Sequence, residues 1–345
     1  MTNKIDIAIA GSTGNVGREI LQILEQREFP INNIYCLASS RSKGKKIKFK
    51  GQEIEVEDLA KFDFSKVQLS LFSPGGSISA KYAPKATKEG CIVIDNTSHF
   101  RMNDDVPLVV PEVNSDILQD FFNNNSRSNI IANPNCSTIQ MVMALKPLYD
   151  FSKIKRVIVS TYQSTSGAGR KPMDELFEQT KNIFENKQIK KKFFTKQIAF
   201  NVIPHIDNFL ENGETKEEWK MRVETKKILD KSIEVFSTCV RVPVFIGHAE
   251  SVNIEFEKPI SDEKAKQILK KSPGVSVVDY RKDEGYITPE ECAGEDYVFV
   301  SRIRKDETVK NGLALWIVSD NLRKGAALNA VQIAETIIKN KLLKN

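Results

Sequence analysis

One cysteine of this chain occupies a position where its sulfur could act as a nucleophile. Cys136 lies in the segment Asn133–Thr138, which follows the short apolar run Ile130–Ala132 and precedes a helix predicted over Ile139–Leu148. The macrodipole at a helix N-terminus lowers the pKa of a thiol, and only the thiolate attacks an electrophilic carbon. The segment therefore predicts nucleophilic catalysis through Cys136.

A cysteine nucleophile also needs a proton-exchanging partner, and the sequence offers three histidines. His248 follows Gly247, which permits a sharp turn, so its imidazole could face a cleft. His99 beside Arg101, and His205, fit structural or peripheral roles better. Spacing favours His248 but leaves the choice open.

A loop that could bind a dinucleotide follows the first apolar run, Ile5–Ala10. Gly11–Gly17 has the spacing G-x-x-G-x-x-G, which departs from the usual G-x-G-x-x-G, and it opens a helical segment, Val16–Gln26. Glycines let a backbone approach a pyrophosphate closely, and the helix N-terminus attracts the anion. The residues expected to contact the cofactor here are Gly11, Thr13, Gly14, Asn15 and Val16.

The end of the second predicted strand, Ile34–Ala38, indicates which dinucleotide binds. An NAD enzyme usually places Asp or Glu there for the ribose hydroxyls, but this strand is followed by Arg41 and Ser42 with no acid. A cation and a hydroxyl suit a 2′-phosphate, so NADP(H) is the expected cofactor, unless Arg41 is only a surface cation. A second glycine turn, Ser73–Ser77, follows the third strand and should line the same crevice.

The elements that must position these residues predict an N-terminal α/β domain. Short apolar runs without strict alternation are typical of strands buried on both faces of a parallel sheet. Helical stretches, including one near Ile78–Lys88, separate them, which indicates a doubly wound, Rossmann-like fold. The predicted strands are Ile5–Ala10, Ile34–Ala38, Val67–Phe72, Cys91–Asp95 and Ile130–Ala132.

The pattern changes after Pro147, where strands follow one another with few helices between them. This predicts an α+β second domain with a mixed or antiparallel sheet. Its predicted helices begin near Pro172 and span Glu217–Lys231. Its predicted strands are Ile154–Thr161, Val235–Val244, Ser251–Glu257, Asp296–Ile303 and Leu313–Val318. The expected division is 1–135 and 136–322, with the tail 323–345, including an amphipathic helix over Ala326–Leu342, packing back on the first domain.

Composition excludes several classes of function. The 345 residues are 40% hydrophobic and 28% charged, and no apolar run is long enough for a membrane helix or a signal peptide, so we expect a cytoplasmic globular protein. Five cysteines without a C-x-x-C pair favour reduced thiols, of which Cys36 and Cys91 should be buried, over disulfides or a metal site. The net charge of +6 is modest, and its densest run, Lys43–Lys50, is predicted to be a solvated loop and not a nucleic-acid groove. Asn123–Asn129 and Lys190–Lys192 are also predicted to be exposed loops.

Ordered motifs along nearly the whole chain carry a specific resemblance. They are Gly11–Gly17, Asp95–Met102, Val109–Asn114, Asn133–Thr138, Thr161–Gln163, Ser166–Gly169, Glu217–Lys220, Arg241–His248 and Ser319–Arg323. With these motifs the chain resembles the aspartate-β-semialdehyde dehydrogenase family. The resemblance implies a dinucleotide-binding domain, a catalytic and dimerisation domain, and a homodimer or a tetramer built from dimers.

The resemblance also implies roles for single residues. Cys136 would be the nucleophile, His248 the acid–base, and Gln163 the residue that orients the substrate. Arg241 would bind the substrate carboxylate and Glu217 its ammonium group.

Further roles concern the phosphate and the cofactor. Arg101 and Lys220, with Asn135, would hold the phosphate, although spacing alone would make Glu217 and Lys220 an ordinary surface pair. The residues implied to contact the cofactor are Ser166, Gly167 and Asn321.

The implied reaction is the reduction by NADPH of L-4-aspartyl phosphate to L-aspartate 4-semialdehyde through a thioester, in the biosynthesis of lysine, threonine and methionine. Two alternatives remain. The first is a reductase for N-acetylglutamyl phosphate, although that family carries Gly and Tyr beside its cysteine where this chain has Asn135 and Ser137. The second is a nicotinamide-sensing module without catalysis, which predicts decay of the catalytic set, and that set is present here.

Overall fold

The computed structural model describes residues 4–123 and 128–343, so most of the tract predicted as a loop at Asn123–Asn129 lies outside the described residues. The chain divides into two compact units. Unit 1 comprises Met1–Asn135 and Ala326–Asn345, and unit 2 comprises Cys136–Gly325. Within the described ranges, no helix combines the length and apolar character needed to cross a bilayer.

Unit 1 contains a seven-stranded sheet in the order β3-β4-β2-β1-β5-β6-β7. All its neighbours are parallel except β3 and β4, as predicted for a doubly wound domain. The strands are β1 (Ile5–Ala10), β2 (Ile31–Ala38), β3 (Lys46–Phe49), β4 (Gln52–Asp58), β5 (Leu69–Phe72), β6 (Ile92–Asp95) and β7 (Ile130–Ala132). The helices are α1 (Asn15–Gln26), α2 (Gly76–Lys88), α3 (Pro111–Asn114) and α4 (Ile117–Asn123).

The strand order places the predicted cofactor segments at one edge of this sheet. β1 pairs in parallel with β2 on one side and with β5 on the other. Parallel strands end at the same edge, so the turns after these three strands, which contain Gly11, Arg41 and Ser73, are neighbours. This is the switch point of a doubly wound sheet, where ligands bind.

The prediction of a solvated loop at Lys43–Lys50 is wrong. β3 lies inside this run and pairs antiparallel with β4, with Ile47 opposite Ile54. Phe49 is buried, whereas Lys46 and Lys48 remain exposed. The exposed lysines protect a sheet edge and masked the strand in the sequence.

Unit 2 contains a mixed six-stranded sheet in the order β11-β12-β13-β10-β8-β9. The pairs β8–β9 and β11–β12 are parallel and the other three are antiparallel, in agreement with the predicted sheet type. The strands are β8 (Ile154–Gln163), β9 (Glu234–Arg241), β10 (His248–Phe256), β11 (Val275–Val277), β12 (Val298–Asp306) and β13 (Gly312–Ser319). The helices are α5 (Cys136–Phe151), α6 (Arg170–Phe184), α7 (Lys216–Ile228), α8 (Asp262–Leu269) and α9 (Pro289–Cys292).

Two boundaries in unit 2 differ from the prediction in ways that matter for the site. β10 begins at His248 and not at Ser251, because Gly247 has φ +92° and turns the chain directly into the strand. α5 begins at Cys136 itself and continues past Leu148 to Phe151. Most of α5 is buried, and it packs against the sheet of unit 2.

The C-terminal segment of unit 1 is shorter as an α-helix than predicted. A π-helical turn, Arg323–Ala327, precedes α10 (Leu328–Lys339). α10 packs against α1, where Arg27 forms an ion pair with Glu335 at 2.7 Å. Gln332 on the same helix donates to Glu112 of α3 at 2.9 Å.

Candidate active site

His248 is the first residue of β10 and is completely buried. Its Nδ1 accepts a hydrogen bond from the backbone N–H of Ser164 at 3.1 Å and lies 3.0 Å from the Ser164 hydroxyl. Because Nδ1 accepts, the neutral imidazole carries its proton on Nε2. Within the described residues Nε2 has no hydrogen-bond partner, so it is the nitrogen available to a substrate.

The electrostatic environment of His248 keeps the imidazole neutral. Burial, and secondly the nearby Arg241 guanidinium, lower the pKa of His248 to about 3, and the Glu217 carboxylate opposes this shift only weakly. An anionic ligand that neutralised Arg241 would remove one of the two causes. Substrate binding would therefore raise the pKa of His248.

Asn321 lies between the turn that precedes His248 and the residues that pack around Cys136. Its Oδ1 accepts from the backbone N–H of Gly247 at 2.9 Å and from the hydroxyl of Ser164 at 3.0 Å. A Cβ built on Gly325 would lie 3.0 Å from the Cβ of Cys136 and 3.5 Å from the Cβ of Asn321. Asn321 and Cys136 therefore both pack against Gly325.

Cys136 differs from the other four thiols of the chain in its exposure. It is partly exposed at the start of α5, whereas Cys36, Cys91, Cys239 and Cys292 are buried. Burial raises the pKa of Cys36 to about 11 and that of Cys292 to about 12. These thiols are protonated at neutral pH and cannot serve as nucleophiles.

Arg241, at the end of β9, is a cation close enough to interact electrostatically with both the Cys136 thiol and the His248 imidazole. Its Nη1 donates to the carbonyl oxygen of Ser164 at 2.6 Å, and its charge interacts with both Cys136 and His248. Burial lowers the pKa of Arg241, and Glu217 opposes that shift.

Gln163, Glu217 and Lys220 form one buried hydrogen-bonded group. Gln163 Nε2 donates to Glu217 Oε1 at 3.1 Å, and Lys220 Nζ donates to Glu217 Oε2 at 3.0 Å. Lys220 also donates to Asp207 at 2.8 Å. The interpretation of Glu217 and Lys220 as a surface pair is therefore wrong, since both side chains are largely buried.

Burial alone would lower the pKa of Lys220, but Glu217 and Asp207 outweigh it and raise that pKa above its usual value. The group thus holds one cation among two carboxylates.

Ser166 and Gly167 lie in the short helical turn Thr165–Ala168, beside the imidazole. Ser166 donates to Asn321 Oδ1 at 3.1 Å. A Cβ built on Gly167 would lie 3.1 Å from His248 Nε2 and 3.3 Å from Arg241 Nη1. Glycine at this position keeps a side chain from crowding His248 Nε2.

The glycine loop in unit 1 has the geometry of a dinucleotide cradle. Gly11 has φ +87°, and a Cβ there would lie 2.7 Å from the Ser73 carbonyl oxygen. A Cβ on Gly17 would lie 2.2 Å from the Gly11 carbonyl oxygen. α1 begins at Asn15, and its N-cap Gly14 makes no side-chain cap over the first turn. These features fit a pyrophosphate at the helix N-terminus.

The remaining predicted residues also lie in unit 1. Thr13 and Val16 belong to the glycine loop and the first turn of α1, and Arg41 and Ser42 lie in the turn after β2, with Arg41 exposed. Arg101 and Asn135 are buried. The Arg101 guanidinium donates to the carbonyl oxygens of Asn133 and Asn96, each at 2.9 Å. No group of three or more His, Cys, Asp or Glu side chains suited to a metal occurs in the described part of the chain.

Sequence reasoning missed three residues of this region. Ser164 holds the imidazole, and its position directly after Gln163 was the only signal. Asp207, which lies in a loop and itself has φ +69°, forms an ion pair with Lys220. Glu250 lies two positions after His248 and is completely buried, and burial raises its carboxyl pKa well above the usual value, opposed in part by Gln140.

The fold and the site together define a class: an oxidoreductase with a dinucleotide-binding domain and a second domain that carries a partly exposed thiol. Two family models match the sequence accordingly. "Semialdehyde dehydrogenase, NAD binding domain" matches residues 6–121, and "Semialdehyde dehydrogenase, dimerisation domain" matches residues 145–324.

Relatives of known name narrow the class. The chain is 54% identical to the aspartate-semialdehyde dehydrogenase of Aquifex aeolicus, over 98% of this chain and 99% of the relative, and 52% identical to that of Legionella pneumophila, over 100% and 99%. The crystal structure of aspartate semialdehyde dehydrogenase II from Vibrio cholerae, complexed with ASA, superposes with a TM-score of 0.94 at 48% identity and covers 98% of this chain and 99% of that one. The chain belongs to the aspartate-semialdehyde dehydrogenase family. The N-acetylglutamyl-phosphate reductase alternative is not favoured.

Proposed function

We propose that this chain catalyses the NADP(H)- and phosphate-dependent interconversion of L-4-aspartyl phosphate and L-aspartate 4-semialdehyde through a thioester on Cys136. The observation that carries the proposal is the arrangement of unit 2, where a partly exposed thiol at a helix N-terminus interacts with Arg241 beside a buried, neutral His248. The first step follows from it. The Cys136 thiolate attacks the acyl carbon, a C–S bond forms, the C–O bond to phosphate breaks, and phosphate leaves.

Reduction then needs a hydride, which the dihydronicotinamide supplies to the thioester carbon when bound. Negative charge develops on the carbonyl oxygen, where the His248 Nε2–H donates a hydrogen bond that stabilises the oxyanion until it re-forms the C=O bond. The C–S bond then breaks and releases the aldehyde and the thiolate. In the oxidative direction His248 would act as the base, which requires an Nε2 lone pair and hence loss of the Ser164 N–H bond to Nδ1.

The charged groups of unit 2 fit the two ends of an amino-acid substrate. Arg241 matches a carboxylate with a planar pair of donors, and Glu217 matches an ammonium group. Gln163 is fixed by Glu217 on one side and accepts from the Thr161 hydroxyl at 3.0 Å on the other, so it can orient the reacting carbon. Lys220 with Arg101 and Asn135 would hold the phosphate.

We assign the cofactor as NADP(H) because Arg41 and Ser42 follow β2 where an NAD enzyme would carry an acid. Gly11, Thr13, Gly14, Asn15 and Val16 would cradle its pyrophosphate, and Ser166, Gly167 and Asn321 would contact its nicotinamide end.

The assay that tests the proposal follows phosphate-dependent reduction of NADP by L-aspartate 4-semialdehyde, with NAD and N-acetylglutamate 5-semialdehyde in parallel reactions. We expect turnover with NADP and the aspartate aldehyde. Arg41→Ala should raise KM for NADP and leave that for NAD unchanged. Turnover without phosphate, or preference for the longer aldehyde, would contradict the assignment.

The second sheet supports a homodimer. Ile158, Tyr162 and Phe236 lie on one face and remain exposed, by 36%, 37% and 61%, and Tyr162 packs on Trp316 with ring centroids 5.6 Å apart. An apolar face of this kind on a stable sheet marks an interaction surface. Light scattering should give the mass of a dimer or a tetramer, and Phe236→Lys should weaken the association of the subunits.

A cytoplasmic location stays a prediction from the sequence.

A further inference from the structure

A chain of buried amides in unit 1 links the C-terminal helix to Arg101. Asn329, in the first turn of α10, is completely buried and donates from Nδ2 to Asn133 Oδ1 at 2.6 Å and to the Val109 carbonyl oxygen at 2.9 Å. Asn133 in turn donates from its own Nδ2 to Asn96 Oδ1 at 3.0 Å and to the Ala326 carbonyl oxygen at 3.3 Å. Both ends of the Asn133 amide are therefore held.

The backbone of the same asparagines directs the guanidinium. Arg101 Nε donates to the Asn133 carbonyl oxygen and Nη2 donates to the Asn96 carbonyl oxygen, each at 2.9 Å. These two carbonyls fix the plane of the guanidinium and thereby the direction of its remaining N–H groups. The orientation of Arg101 thus depends on the position of Asn133, and the position of Asn133 depends on Asn329.

Only a side chain with donors suits position 329. The two groups to which its Nδ2 donates, Asn133 Oδ1 and the Val109 carbonyl oxygen, are buried acceptors. A buried acceptor left without a donor costs free energy. Alanine would remove both donors. Serine would keep one hydroxyl donor in a smaller volume.

We propose that Asn329 is a positioning residue for the phosphate site, acting through Asn133 on Arg101. This inference rests on the proposed function, in which Arg101 binds the phosphate of the reaction. It assigns a part of the phosphate affinity to a helix at the opposite end of the sequence.

The test compares the KM for inorganic phosphate with the KM for aspartate semialdehyde in Asn329→Ala, Asn329→Ser and the control Gln332→Ala. Gln332 ties α10 to Glu112, so its loss loosens the same helix without touching Asn133. We expect Asn329→Ala to raise the phosphate KM about tenfold, as the misdirection of a charge-assisted hydrogen bond implies, with the aldehyde KM within about twofold. Asn329→Ser should give a smaller rise, and Gln332→Ala should leave both constants near those of the unaltered enzyme.

The outcomes distinguish a failure of the role inferred for Asn329 from a failure of the proposed function. An unchanged phosphate KM in a folded Asn329→Ala enzyme overturns the inference, as does an equal rise in Gln332→Ala. If alanine prevents folding, the serine variant decides by the same criterion. Arg101→Ala must raise the phosphate KM further still; if it leaves that constant unchanged, the inference is also overturned. If the unaltered enzyme shows no phosphate-dependent turnover at all, the proposed function itself has failed.

Discussion

Two contacts from Ser164 reach the same nitrogen of His248, one from its N–H at 3.1 Å and one from its hydroxyl at 3.0 Å. The N–H can only donate, so Nδ1 is the acceptor and the proton of the neutral imidazole lies on Nε2. At the residue scale, therefore, the chemistry of the imidazole depends on a serine that takes no part in bond making. The pKa of His248 depends on burial and on Arg241.

Replacement of Cys136 tests its proposed role as nucleophile. Cys136→Ala should abolish turnover because no other thiol is partly exposed, while NADPH binding, measured by fluorescence titration, should change little. Cys91→Ala is the matched control, since that thiol is buried in unit 1 and should be dispensable. Substantial residual activity in the Cys136 variant would rule out the thioester.

A second residue-scale prediction concerns Gly167. Its backbone has no positive φ, so Gly167→Ala should fold, but the added methyl group would approach His248 Nε2 to 3.1 Å. Displacement of a catalytic group by a fraction of an ångström lowers rate strongly, and we expect kcat/KM to fall by about ten- to a hundredfold.

The control for Gly167→Ala is Ala168→Ser, on the next residue, which is exposed like Gly167. If Gly167→Ala were as active as Ala168→Ser, catalysis would not need the open space beside His248 Nε2. Melting curves of both proteins would separate this effect from unfolding.

At the scale of elements, α7 carries Glu217 in a well-capped first turn and Lys220 in the next turn. The Thr215 hydroxyl accepts from Glu218 N–H at 3.3 Å, and the Glu218 carboxylate accepts from Thr215 N–H at 2.7 Å. This capping box fixes the start of the helix. It thereby fixes the position from which Glu217 accepts the hydrogen bond of Gln163.

Removing the cap should therefore affect both stability and substrate binding. Thr215→Val should cost about 1 kcal/mol of stability and raise the KM for aspartate semialdehyde. Ser261→Ala removes the corresponding cap of α8, where the hydroxyl accepts from Lys264 N–H at 3.1 Å, and should cost a similar amount without a change in KM. Steady-state kinetics and thermal melts of both variants test this; a KM shift in both would refute the assignment.

At the scale of the whole molecule, buried ionisable groups make stability depend on pH. The pKa of His248 is about 3 in the folded protein, compared with a usual value of 6.5. Between these two values the unfolded chain binds a proton that the folded chain does not, so this residue lowers the free energy of unfolding as pH falls through that window. Above pH 6.5 its contribution is constant.

His248→Asn should therefore lose less stability than the unaltered protein when the pH is lowered from 7.5 to 5. Thermal melts of both proteins at these pH values give the comparison, and the other ionisable groups cancel in the difference. Parallel pH profiles would mean that the imidazole is solvated in the folded protein.

The sequence by itself determined the local features of this protein. Glycine spacing after a first strand and a cysteine near a helix start depend on neighbours along the chain, so the dinucleotide-binding loop and the position of Cys136 could be predicted. The roles of Cys136 as nucleophile and of Arg41 in NADP binding stay predictions. The pattern of apolar runs and helices predicted the α/β and mixed-sheet domains, and motif order added the family. The prediction of a solvated loop at Lys43–Lys50 failed because exposed lysines concealed an edge strand, which forms by pairing with β4.

Only the tertiary structure decided which distant residues act together. Ser164 meets His248 because β8 and β10 are adjacent and antiparallel, and Asp207 meets Lys220 through a loop conformation with positive φ. Asn329 reaches Asn133 across 196 positions of sequence. Such contacts depend on packing, which propensity and spacing do not encode, and burial then sets the pKa values on which the chemistry relies.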